Sequence, residues 1–524
     1  MASGDRPANA KNKNRDERMI LSRETLKNIQ LQTGLVIPDE KIFSLPEKVL
    51  QFGTGVLLRG LPDYFIDKAN RQGIFNGRIV VVKSTTKGKT DAFDQQDGLY
   101  TLCVRGVENE VKQQETIINS SISRVISAIE NWDDVLACAH DPQLQIVISN
   151  TTEVGITLIE DDIRLNPPHS FPGKLLAFLH ERYQAFNGSN DKGMVIIPTE
   201  LIPDNANRLR SIMLELAKMN KLDEAFIQWL EAANHFCNSL VDRIVPGKLP
   251  EKDKQIIEKQ LGYKDELMIM AESFRLWAIE SGNKKVSEIL SFSKSDEGVT
   301  IAPDIEKFGI LKLRLLNATH SFACGLAHLS DFNTVKETVT NNLFGSFIHN
   351  LMIHEIAETI VSESISIQEA CNFAGKVMDR FRNPYIEHRW LSISVQYTSK
   401  MKMRTVPLLT RHFGKAKHVP ELMTLGFAGY LLFMKCHDNK KGGYSGVFNG
   451  KEYTVQDDHA SYFSEKWKLK NSNDVVDAVV GDKNFWGVDL SQLRGFSERV
   501  KFYIHSLMEK GTMATIRELQ KINV

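Results

Sequence analysis

Between Lys312 and His320 the chain reads Lys-Leu-Arg-Leu-Leu-Asn-Ala-Thr-His, which spreads an amine, an amide and an imidazole through an apolar helical pattern. At roughly 100° per residue, Lys312, His320 and Asn317 fall near 0°, 80° and 140° of the helix wheel, on one side of a helix otherwise fit for burial. Taken singly, a lysine snorkelling to solvent and an asparagine and histidine satisfied in a core account for them. Taken together, three polar groups converging in apolar surroundings need partners, and a small polar ligand in a pocket supplies them.

A second set, Phe52-Gly53-Thr54-Gly55-Val56-Leu57-Leu58-Arg59, follows an apolar run and opens a helix. Gly53 and Gly55 permit a tight turn and close backbone approach, the arrangement that brings a pyrophosphate to a helix N-terminus. Leu58 stands where the usual fingerprint has its third glycine, so a plain pair of turn glycines fits these residues as well. The next strand ends in Val82-Lys83-Ser84-Thr85, without the acid that would hold a ribose 2′-hydroxyl, which leaves NAD and NADP both open.

A third set, Lys400, Lys402 and Arg404, alternates with Met401, Met403 and Thr405 in a stretch, 393–406, that reads as a strand. There the three cations share one face. That face is either an edge charged against aggregation or a wall for a substrate carboxylate, with His388 and Arg389 close in sequence. Lys440 and Lys441 beside Gly442 and Gly443 match no phosphate-loop spacing and read as a solvated surface insertion. His349, His354 and Glu355 lack the His-Glu-x-x-His spacing, so no metal site is expected. None of Cys103, Cys138, Cys237, Cys324, Cys371 and Cys436 is paired at short range.

The chain that must position these groups has 524 residues, which suggests two or three domains. Its 65 Lys+Arg balance 65 Asp+Glu, which argues against a nucleic-acid binder working through bulk charge. With 42% hydrophobic and 25% charged residues it is not a largely disordered chain. No apolar run approaches the roughly 20 residues of a membrane-spanning helix. Residues 1–18 carry no apolar signal segment and read as a disordered tail or extension, and a reducing cytoplasm is the expected compartment. Nothing calls for an obligate protein partner.

Continuous apolar runs at 48–52, 78–82, 145–149 and 194–198 suit parallel strands covered on both faces. Helical patterns at 122–139 and 173–186 lie between them, which predicts a doubly wound α/β sheet. From about residue 206 the spacing predicts helices at 207–219, 225–237, 265–278, 308–329, 343–362 and 366–381. The strand at 393–406, a loop at 437–450 and two closing helices follow. The expected architecture is a Rossmann-type α/β cofactor domain over 19–295 and a mostly α-helical domain over 296–524.

Lys-x4-Asn-x2-His on a helix of the second half, with Gly-x-Gly-x-x-x-Arg upstream, resembles the long-chain polyol dehydrogenase family typified by mannitol 2-dehydrogenase. The similarity spans roughly residues 45–500 and includes Asp97-Gly98-Leu99-Tyr100-Thr101, Asn238-Ser239-Leu240-Val241-Asp242-Arg243-Ile244 and Arg380-Phe381-Arg382-Asn383-Pro384. The resemblance implies an NAD-dependent, metal-independent oxidoreductase, with Phe52, Gly53, Thr54, Gly55, Arg59, Lys83 and Asn150 at the dinucleotide. It implies Lys312 as general acid/base, Asn317 as donor to the developing alkoxide, His320 orienting substrate hydroxyls and Asp242 close to the substrate. Amines ordinarily titrate near 10.4, so one that cycles near neutrality must be tuned downward.

Within the family, Pro198-Thr199-Glu200-Leu201-Ile202-Pro203 and Ser149-Asn150-Thr151-Thr152-Glu153-Val154-Gly155 resemble the members acting on hexuronates. They imply a keto-uronate substrate and the reduction of tagaturonate to altronate. Two family positions differ: Leu201 stands for a substrate-site asparagine, with Asn205 as its nearby substitute, and Ser392 for a substrate arginine. Lys400, at a family lysine position, and Arg404 are then the candidates for the carboxylate. The alternatives are a fructuronate, mannonate or polyol substrate, and a cofactor-binding protein without activity.

Overall fold

The structure, a computed structural model, describes residues 19–522 apart from 31–32, 86–89, 152–154, 417 and 441. The tail at 1–18, the middle of the 149–155 motif and Lys441 lie outside the described residues.

The four apolar runs form Glu47–Phe52, Arg78–Lys83, Ile146–Ser149 and Val195–Pro198. Every residue of Arg78–Lys83 is buried, so these strands show no polar alternation. Ile122–Ser127 and His235–Phe236 complete a six-stranded sheet in which all neighbours run parallel. Counted in chain order, the strands stand 6-5-4-1-2-3. The order reverses between Glu47–Phe52 and Ile146–Ser149, where Phe52 lies opposite Ser149. Connections leave these two strand ends in different directions, which opens a crevice between them.

Two expected helices are strands instead. Ile122–Ser127 pairs with Arg78–Lys83, and the helix begins only at Trp132. Ile269–Glu272 and Leu276–Glu280 replace the helix expected over 265–278. Short apolar runs fit both periods, and the pairing partners, far off in sequence, decide between them. Ile269–Glu272 extends the hairpin Tyr100–Glu108 and Val111–Asn119. Leu276–Glu280 lies between Ser239–Asp242 and Val299–Ala302, so the strand-bearing part of the chain runs past residue 295 to 302.

The helical half opens on a rod made of Glu306–Leu311, a π-helical turn at Lys312–Ala318, and Thr319–His328. The rod crosses Glu421–Phe433 so closely that a Cβ on Gly325 would lie 2.5 Å from the Gly429 carbonyl oxygen. Segment 393–406 is not a strand. It is helical through Trp390–Ile393 and Tyr397–Lys400, a π turn at Met401–Thr405, and Val406–Lys415. Met401 is fully buried whereas Met403 is 57% exposed, which an alternating strand would not allow.

The expected loop at 437–450 is part of an antiparallel sheet of Cys436–Asp438, Tyr444–Phe448 and Lys451–Val455. Its tight turn is Asn449-Gly450, both at positive φ, a hairpin signal that the charged composition obscured. More helices follow than the two expected: Ala460–Lys466, Ser472–Val480, Lys483–Trp486, Phe496–Lys510 and Thr512–Ile522. Among the described residues no helix is long and apolar enough to cross a membrane.

Candidate active site

The crevice at the strand-order reversal holds a cavity of about 440 Å³ bordered by Gly53, Thr54, Gly55, Lys83, Asn150 and Lys174. Gly53 sits at φ +127°, where a Cβ would lie 2.9 Å from Leu58 and 3.2 Å from the Asn150 carbonyl, so no other residue fits there. Gly55 is different. Its φ of −62° suits any residue, and a Cβ there would meet no protein atom within 4 Å. Bare backbone therefore faces open space, a cradle that a side chain would fill and a dinucleotide can use.

The opposite wall is held by Glu200, whose carboxylate accepts hydrogen bonds from Thr151 N at 2.7 Å, Thr151 Oγ1 at 3.0 Å and Ser149 Oγ at 3.1 Å. Burial pushes this carboxyl up, against the pull of the Thr151 hydrogen bonds. Asn150 is steadied by Nδ2 donating to Thr199 O and Oγ1 at 3.2 and 3.1 Å. Lys83 Nζ donates to Thr85 O at 2.5 Å. Two residues expected at the dinucleotide do not border this cavity. Phe52 is buried with its ring edge-on to Phe171, and Arg59 turns into the protein, donating to Leu267 O at 2.6 Å and lying over Tyr100.

Lys312, Asn317 and His320 share the rod of the other half. The wide turn at 312–318 replaces regular α-helix at this point, a distortion frequent at functional sites. Lys312 Nζ donates to Val241 O at 2.9 Å and lies 3.7 Å from Asp242 Oδ1, so the amine of one half is held by a strand end of the other. Burial would raise the Asp242 carboxyl, but Arg380 and then Lys312 outweigh it and hold it below the usual carboxylate range. Among the described residues the Asn317 side chain makes no hydrogen bond; only its carbonyl oxygen does.

His320 packs against Phe381, His388 and Trp390, and its Nε2 is buried without a partner. Burial, then His388 and the cations Arg404, Arg380 and Lys400, hold its pKa well below that of an ordinary histidine, so the ring is neutral. An amine, an amide and an imidazole with unused polar atoms are what a hydroxylated carbonyl compound requires.

The cationic strip is split by its helical backbone. Lys402 turns away, with its amine 3.9 Å over the Phe485 ring and 3.3 Å from His459 Nε2. Lys400 and Arg404, four residues apart, stay on the His320 side. Tyr397, one turn before Lys400, couples the two segments: its hydroxyl donates to Ser321 O and accepts from Gly325 N on the rod. Arg404 Nη1 lies 3.5 Å from Asn317 O, its Nε is buried without a partner, and Lys400 Nζ reaches only Ile393 O at 2.7 Å. Neither cation has a carboxylate within ion-pair distance among the described residues. Burial lowers the proton affinity of both; Arg404 adds to the effect on Lys400, and Cys324 and Asp457 work against it.

Residues 47–290 match the family model of the mannitol dehydrogenase Rossmann domain, and residues 304–508 that of the mannitol dehydrogenase C-terminal domain. The altronate oxidoreductase of Bacillus subtilis is 37% identical over 478 residues, 90% of this chain and 95% of the relative. This chain belongs to the mannitol dehydrogenase family. It is accordingly an oxidoreductase. The altronate oxidoreductase of Escherichia coli is 34% identical over 90% of this chain and 97% of its own length. The family fold is also that of solved structures at 20% identity. Pseudomonas fluorescens mannitol 2-dehydrogenase, in a ternary complex with NAD and D-mannitol, has a TM-score of 0.65 and covers 96% of this chain and 100% of its own. A D-sorbitol dehydrogenase in substrate-free form has a TM-score of 0.76, covering 95% and 100%.

One of the expected substrate residues, Asn205, is engaged inside the fold. Asn205 is buried, with Nδ2 within 3.0 Å of the Pro198, Glu200 and Ser239 carbonyls and Oδ1 accepting from Ser239 N, so its amide is used up inside the fold. Asp242 faces Lys312 and Arg380. Glu200, Glu272 and Arg380 are further charged groups at the site. Glu200 and Arg380 lie within family motifs and Glu272 is a charge within an apolar pattern, but nothing local marks their partners, which lie as far as 138 residues away.

Proposed function

We propose that this oxidoreductase uses NAD and interconverts tagaturonate and altronate. The observation that carries the substrate class is the pair Lys400 and Arg404, half-buried cations beside Asn317 and His320 with no ion-pair partner among the described residues, which suit a carboxylate and have no use for a neutral polyol. Its curated relatives are named for altronate.

The Gly53-Thr54-Gly55 turn, Asn150 and Lys83 hold the dinucleotide, which when bound supplies a hydride to the substrate carbonyl carbon or takes one from the alcohol. Lys312 Nζ gives a proton to the carbonyl oxygen during reduction and takes it back during oxidation, so C=O and H–C–OH interconvert with hydride and proton both accounted for. Asn317 donates its amide N–H to the oxygen as negative charge develops. Neutral His320 meets a substrate hydroxyl through Nε2. Arg404 and Lys400 take the carboxylate and set which carbonyl faces Lys312.

NADH oxidation with tagaturonate, fructuronate and fructose in parallel tests the assignment. Tagaturonate should turn over fastest, and faster turnover of fructose would refute the uronate reading. Running NADPH beside NADH reads out the effect of Lys83 in place of an acid, with NADH expected to be preferred.

Gly55→Val separates cofactor binding from folding. Val suits the backbone angles there and its Cβ meets no protein atom within 4 Å, so the melting temperature should stay within about 2 °C. The dissociation constant for NADH, from fluorescence titration, should rise at least about tenfold, the equivalent of about 1.4 kcal/mol.

A further inference from the structure

A chain of buried charges from three elements runs behind Lys312. Asp242 ends the strand Ser239–Asp242, Glu272 ends Ile269–Glu272, and Arg380 sits in the helix Ile367–Phe381 of the other half. Arg380 divides its fork between them. Nη1 and Nη2 reach Asp242 Oδ2 and Oδ1 at 2.8 and 3.1 Å, while Nε and Nη2 reach Glu272 Oε2 and Oε1 at 3.1 and 2.7 Å. Phe274 covers the guanidinium at 4.2 Å, and Ile244 N donates to Glu272 Oε1 at 2.6 Å. The side chains of Arg380, Asp242 and Glu272 are 4%, 7% and 1% exposed, so water screens them little.

Arg243, also buried, donates to Glu272 O at 2.9 Å and feels the Glu272 charge, so with Lys312 charged three cations face the two carboxylates and with Lys312 neutral two do. The proton that Lys312 exchanges therefore alters the net charge of the cluster, and every member influences how readily it leaves. We propose that Glu272 and Arg380 are positioning residues which, acting through Asp242, set the pH range over which Lys312 exchanges its proton. The inference rests on Lys312 being the acid/base of the proposed reaction.

Besides Arg243 against Glu272, the other titratable or charged groups around the site are His320, His388, Lys400 and Arg404. They approach from the rod and from the 388–404 segment, and Arg380 is among the cations felt by both histidines. None of them is altered by the substitutions that follow, so their contribution is common to every profile compared.

The test is the pH dependence of kcat/KM for altronate oxidation with NAD by the full chain. Oxidation needs the neutral amine, so the rate climbs with pH to a plateau. Glu272→Gln removes an anion that offsets Arg380, the ammonium form becomes less favoured, and the midpoint of the climb should fall by about one pH unit. Arg380→Gln removes the cation that screens Asp242, the ammonium form becomes more favoured, and the midpoint should rise by about as much. A cluster that only joined the two halves would lower the melting temperature and leave both midpoints at the wild-type pH, and that result would overturn the proposal. Should Arg380→Gln fail to fold, because it leaves two acids unpaired in the interior, Glu272→Gln decides alone. Failure of the underlying reading looks different: a Lys312→Met protein would still oxidise altronate.

Discussion

Lys312→Met should lower kcat for tagaturonate reduction by about 10²- to 10⁴-fold, the range that a positioned acid/base contributes. The loss should fall on kcat more than on KM, because the proton moves in the transition state and the carboxylate is held elsewhere. The protein should still fold. Asp242 keeps both of its hydrogen bonds to Arg380, so no buried charge is orphaned. Val241 O loses one donor, a cost of about 1 kcal/mol, while methionine preserves the apolar stem. NADH titration should give wild-type affinity, since Lys312 does not border the crevice that holds the glycine turn. Primary amines added to Lys312→Ala should restore part of the rate. A kcat within a factor of three of wild type would assign the proton to another group.

The second large effect belongs to Arg404. Arg404→Met should raise KM for tagaturonate by about 10- to 100-fold, the equivalent of roughly 1.5–3 kcal/mol for hydrogen bonds to a charged group. For fructose, which has no carboxylate, KM should change by less than about threefold. The same substitution should raise the melting temperature by about 1–3 °C, because the wild-type protein holds Arg404 half-buried near another cation with no ion-pair partner among the described residues. A gain in stability with a loss in uronate binding distinguishes a substrate ligand from a structural arginine. Lys400→Ala should act in the same direction but more weakly, since its amine already donates to Ile393 O. Equal losses for tagaturonate and fructose would remove both residues from the carboxylate.

What could be read along the chain were features whose physics is local. Four apolar runs without alternation became four parallel strands, because burial on both faces leaves its mark within each strand. Gly53 and Gly55 marked the crevice because a positive φ and a bare backbone are properties of single residues. Lys312, Asn317 and His320 lie on one helix, so their spacing already joined them.

The errors came where a local pattern suited two structures. Lys400, Met401, Lys402, Met403 and Arg404 alternate as a strand does, yet burial of Met401 and Thr405, four apart, against the helical core made the segment helical. That one change sent Lys402 to Phe485 and left Lys400 and Arg404 near His320. Ile122–Ser127 carried helix-like spacing until Arg78–Lys83 offered it a ladder of hydrogen bonds.

By itself, the sequence determined the glycine turn, the parallel sheet and the three polar groups that share one helix, since each depends on neighbours within a few residues. Tertiary structure alone decided which charges meet. Asp242, Glu272 and Arg380 are brought together across separations of 108 and 138 residues, around an amine supplied by the other half of the chain. Such a cluster is stable only where packing excludes water and every charge finds an opposite one, and no short stretch of sequence records that condition.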